Sequence, residues 1–195
     1  MIVAAATVAC LSACTTAPFV PDAERVPEEF SINATVLRGT AVAPVPRVEQ
    51  RPGRWVLLPD GSLRASSTAQ PDHGSRPGVV RHLQESEIAE LWSLAVRLGI
   101  GDPAAGDPVG DARAITAGPT ELVQIIEFHG AGKSWGFVAR GPAADGGDKV
   151  LGTFLRALAE RSWMEDRPAE LDPAAAIRYD MGPDPYARYR GQPTP

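Results

Sequence analysis

Thiols are all but missing from this chain. Its 195 residues include two cysteines, Cys10 and Cys14, and both stand within the first fourteen positions. Everything after Cys14 therefore lacks the means for a disulfide, a thiolate metal site or a cysteine nucleophile. Lysine is almost as scarce: only Lys133 and Lys149 occur, the other 17 basic residues being arginines scattered singly. With a net charge of −5 and no Lys/Arg patch, the chain lacks the footprint of a nucleic-acid binder. A bilayer span takes about 20 apolar residues, and the uncharged run at 2–13 is too short to be one.

Motifs of catalysis and metal binding are missing too. His73, His82 and His129 are the only histidines, and no two have ligand spacing such as His-x-x-x-His. No Gly-x-Ser-x-Gly elbow is present, and Gly61-Ser62 follows a turn instead of opening a helix. Asp102, Asp107 and Asp111 stand five and four apart, where a calcium loop alternates its ligands every second residue and closes with Glu. The stretch Gly130-Ala131-Gly132-Lys133-Ser134 ends like a phosphate loop, but its upstream glycine spacing is wrong and it joins two strands. We assign no catalytic residue, no metal ligand and no cofactor on these grounds.

What the chain does have is proline and glycine, 19 of each, unevenly spread. They crowd into 15–29, 39–54, 70–78, 99–119, 141–147 and 167–195, leaving a folded portion at 30–165. A domain of that length buries roughly two-thirds of its unfolded surface and needs neither metal nor disulfide.

The two cysteines sit at the end of the apolar run. Residues 2–13 fit the apolar core of a signal peptide, and small residues follow at a processing site. Leu11-Ser12-Ala13-Cys14 resembles the lipobox of bacterial lipoproteins, an apolar residue and two small ones before cysteine. That resemblance implies removal of 1–13 as a signal peptide and a diacylglycerol on the Cys14 sulfur. Acyl chains contribute about 0.8 kcal/mol per buried CH₂, so two or more hold a soluble domain at a membrane. Cys10 follows Thr7 where the motif wants an apolar residue, and would leave with the signal peptide. The run departs from the family pattern in having no basic residue before Arg25. A Cys-x-x-x-Cys metal or disulfide pair is the competing reading. Thr15 is not the Asp that marks inner-membrane retention in this family, which tips the expected site outward. Residues 14–29, with Pro18, Pro21 and Pro27, read as a lipidated cysteine and stiff spacer, lifting the domain about 45 Å at polyproline pitch.

Four strand-like and two helix-like segments follow. Residues 30–39 alternate, with Ile32, Ala34 and Val36 on one side. Residues 53–67 read as a hairpin or a bent strand turning at Pro59-Asp60-Gly61-Ser62, and 121–130 with 133–140 form the best hairpin. A helix over 84–98 sets Ile88, Leu91, Trp92, Ala95 and Leu98 on one face, with Gly99 as its cap. A second, over 148–162, starts at Asp148 and carries Leu151, Phe154, Leu155 and Leu158. The expected fold is α+β: a two-layer sandwich in ββαββα order, a four-stranded antiparallel sheet with two helices on one face. Residues 101–119 lack apolar periodicity and are expected to be a mobile loop. In element order, 30–163 is similar to emfourin-type protease-inhibitor domains of the envelope. The similarity implies inhibition but carries over no residue.

Two places suggest partner binding. Trp55 and Trp135 lie on strands and would make a binding surface if exposed on the open sheet face, core packing being the alternative; Trp92 and Trp163 are expected in the core. The tail at 166–195, expected to be disordered, sets Tyr186 and Tyr189 among Arg178, Arg188 and Arg190 and could fold on a partner. The leading expectation is a membrane-anchored, non-catalytic binding or scaffolding module with an envelope protein partner. The alternatives are an envelope hydrolase built from His129, the acidic loop 101–119 and His82, and a protease inhibitor.

Overall fold

A computed structural model describes residues 19–41, 47–68, 71 and 76–164. The signal peptide expected over 1–13, the expected lipidation site Cys14 and the tail tyrosines Tyr186 and Tyr189 lie outside the described residues. Eight main elements follow one another: β1 (Ser31–Arg38), β2 (Gly53–Leu57), β3 (Ser62–Ser66), β4 (Val79–His82), α1 (Glu85–Arg97), β5 (Glu121–Gly130), β6 (Lys133–Pro142) and α2 (Lys149–Trp163). The strands form one antiparallel sheet in the order β4-β3-β2-β1-β5-β6. The class is α+β, as expected, but the sheet has six strands where four were expected, and the order is ββββαββα. The added strands come from the 53–67 segment, a full hairpin, and from β4, four residues after Pro77-Gly78 that are too short to show alternation.

Local chemistry accounts for the turns and helix ends. Between β2 and β3, Asp60 Oδ1 accepts from the Ser62 N–H at 2.9 Å and Gly61 takes a φ of +80°. Between β5 and β6, Ala131 and Gly132 both have positive φ, the signature of the two-residue hairpin turn that matches strand twist. At the start of α1, the Gln84 N–H donates to Glu87 Oε2 at 3.1 Å. Its end follows the expected form, with Gly99 at a φ of +77° and Ile100 N–H returning to Ala95 O. Asp148 caps α2 by accepting from Leu151 N–H at 2.9 Å.

One alternation set of the sheet shares a core with both helices. Ile32, Ala34, Val36, Trp55, Leu57, Leu63, Leu122, Ile126, Phe128 and Trp135 pack with Leu91, Trp92, Ala95, Leu151, Phe154, Leu155 and Leu158. Aromatic rings form its centre: Phe128 stacks on Trp135 at 5.5 Å and meets the edge of Phe154 at 5.4 Å. At the β4 side, the fully buried Arg81 donates to Glu87 at 2.8 Å and to Arg161 O at 3.2 Å, tying the edge strand to both helices. Trp163, expected in the core, is 74% exposed, because it ends α2 beyond the last core-facing turn. Among the described residues no helix is long and apolar enough to cross a membrane.

The lead-in before β1 is part of this core. Phe19 packs at 6.4 Å from both Trp92 and Trp135, and Lys133 Nζ stands 5.6 Å above its ring. The Trp92 indole N–H donates to Asp22 O at 2.6 Å, Val26 packs against the core, and Ala131 N–H donates to Glu28 O at 2.9 Å. The spacer expected over 14–29 is thus docked from Phe19 onward, because a buried indole needs an acceptor and this segment supplies it.

Candidate functional site

The face of the sheet turned from the helices carries the other alternation set, and polar residues cross it in rows. Asn33 on β1 stands between Val56 on β2 and Glu127 on β5, with Gly136 next on β6. One row on, Ser31 pairs with His129 and His129 with Ser134. Asn33 Nδ2 donates to Glu127 Oε2 at 2.6 Å, and His129 Nδ1 shares a hydrogen bond with Ser134 Oγ at 2.7 Å.

Residues 101–119 wall this floor. Beyond α1 the chain passes the outer edge of β6, where Asp107 and Gly136 exchange both backbone hydrogen bonds, at 2.9 and 2.8 Å. The approach is close: a Cβ on Gly106 would lie 2.9 Å from Trp135 Cδ1 and 3.1 Å from Gly136 O. Past that edge Ala112, Ile115 and Ala117 pack on Leu37, Val123 and Ile125. The far end is tied down by Gly118 N–H to Glu121 Oε2 at 2.8 Å and by Arg140 to Thr116 O at 2.6 Å. The Gly118 N–H, more than the salt bridge from Arg140, holds the Glu121 carboxyl below its ordinary range against a burial penalty. The expected mobile loop is therefore a fastened strap.

Two clefts remain between strap and sheet. One, of about 210 Å3, lies under the strap among Pro108, Val109, Ile115, Ile125 and Val138. The other, of about 170 Å3, is lined by Ser31, Asn33, Val56, Leu58, His129 and Ser134. They meet at Val109 and Glu127, which line both, giving a groove with an apolar end and a polar end. Its size approaches that of small-molecule pockets.

The fold brings together only some of the residues expected to form a site, and it corrects others. Trp55 and Trp135 are 4% and 1% exposed and sit on the helix side, so they form no open-face surface. Alternation explains it: Trp135 lies opposite Phe128 and Trp55 opposite Ala34, both core residues. His129 and the 101–119 segment do come together, through Val109 and Glu127. His82 does not: it is on β4, four strands from β5 and about 19 Å across the sheet. His73 lies outside the described residues. Asn33, Glu127, Ser31 and Ser134 were not among the expected site residues. Their signal was the second parity at one end of the strands, Ser31 and Asn33 on β1, Glu127 on β5 and Ser134 on β6, alternating with core positions. Among the described residues no group of three His, Cys, Asp or Glu could hold a metal ion. Comparison with family models, curated proteins and solved structures finds no match.

Proposed function

We propose that this chain is a bacterial envelope lipoprotein, held to the membrane by acyl chains on Cys14, whose domain is a non-catalytic binding module. The observation that carries the binding reading is the groove between strap and sheet, with hydrogen-bonding groups at one end and aliphatic walls at the other. Leu11-Ser12-Ala13-Cys14, after an uncharged apolar run, supports the anchor, and Thr15 favours the outer membrane. Intact mass of membrane-extracted wild type beside Cys14→Ala tests the anchor: residues 14–195 plus acyl chains are expected in the wild type alone. A photo-crosslinking residue at Val138, which lines the groove, against one at the exposed Val150 on α2 tests the surface. Adducts are expected at 138 and not at 150, and Glu127→Arg should abolish them.

The bonded His129–Ser134 pair favours one second reading, a hydrolase at the same groove with Ser134 as nucleophile. Ester turnover by the full chain that disappears in Ser134→Ala would replace the binding reading with this one.

A further inference from the structure

The lead-in is docked at one end of the sheet, and that end can be named. Phe19 lies under Lys133, beside the β5–β6 turn, and Glu28 bonds the same turn at Ala131. The β2–β3 turn at 58–61 is there too, since Leu57 pairs with Ile32 near the start of β1. The polar end of the groove, with Ser31, His129 and Ser134, shares this tip. At the opposite end of the sheet stand Glu121 and Pro142, ten residues of β5 away and about 30 Å distant.

Covalent geometry then limits the tether. Five residue steps separate Cys14 from Phe19, and no conformation of them spans more than about 18 Å. We propose that the tip carrying Phe19 and the turns at 58–61 and 130–133 rides on the lipid surface, with the polar end of the groove on the membrane side. This rests on the lipidation of Cys14 proposed above. The lead-in carries Asp22, Glu24, Glu28 and Glu29 against Arg25, with Lys133 over Phe19; anionic headgroups do not attract that net negative charge, so the short tether, not charge adsorption, sets the orientation. A ligand presented at the bilayer surface meets Ser31, His129 and Ser134 first.

The test uses the full lipidated chain on phosphatidylcholine vesicles that carry a nitroxide on a fraction of the headgroups. Once Cys10 is removed and Cys14 acylated, no other thiol remains, so Ala131→Cys and Ala144→Cys each accept one fluorophore. Both positions are exposed, one at the tip and one at the far end. Quenching several-fold stronger at 131 than at 144 is expected, and ten Gly/Ser residues inserted between Pro18 and Phe19 should erase the difference. Equal quenching at both positions in vesicle-bound protein, or stronger quenching at 144, overturns the orientation and leaves the lipid anchor standing. A chain of unmodified mass that does not sediment with vesicles overturns the anchor itself.

Discussion

Among the described residues, two long irregular segments, the lead-in at 19–30 and the strap at 101–119, dock on the sheet. They dock differently. The lead-in lies on the helix side, where Phe19 and Phe30 contact Trp92 and a core indole gives its only donor to Asp22 O. The strap reaches the other face through small side chains and holds the edge of β6 at a single residue pair. A segment that completes a buried aromatic cluster is part of the cooperative unit. A segment resting on Ala112, Ile115 and Ala117 is expected to open before the core does.

Substitutions can break each side of that contrast. Trp92→Ala should have the largest effect, about 3–5 kcal/mol in urea unfolding, because it deletes a fully buried indole and strands the lead-in carbonyl. Phe19→Ala should cost about 1–2 kcal/mol of global stability, its ring being half-buried. Ile115→Ala should cost about 1 kcal/mol or less and act locally, speeding amide exchange at Asp107 while the urea midpoint barely moves.

The smallest effect concerns pH. Glu121 fastens the strap, and the Gly118 N–H holds its folded pKa below the unfolded value. Its contribution is therefore complete above the unfolded value and lost as pH falls through the depressed folded value. Exchange at Gly118 should accelerate in that acid window in the wild type. Glu121→Gln should flatten the dependence, and an unchanged profile would remove Glu121 from the strap.

Much of the architecture was legible because it was periodic. The stripe on α1, the Asp148 cap, the Gly99 terminus and the β5–β6 hairpin follow from side-chain spacing and turn chemistry. The sheet was undercounted by two: 53–67 counted as one strand bent at its turn, and β4 has four residues, two of them exposed valines, so neither length nor alternation marks it. Trp55 and Trp135 show a different limit. Alternation tells which residues share a face, but which face the helices cover is set by packing across the chain. The groove was hidden for the same reason, since Asn33 and Glu127 are 94 residues apart and meet only through strand register. Nothing local in Val109, Ala112 or Ile115 marks them as a wall.

The most direct test is hydrogen exchange by NMR across low urea concentrations, comparing the Trp92 indole N–H with the Asp107 amide. If the lead-in belongs to the cooperative core, the Trp92 indole exchanges only by global unfolding, accelerating with urea along the unfolding isotherm. Asp107 should then exchange through a small local opening, nearly independent of urea. A Trp92 indole that exchanges as fast as Asp107, without urea dependence, would show the lead-in to be a detachable linker and not part of the cooperative core.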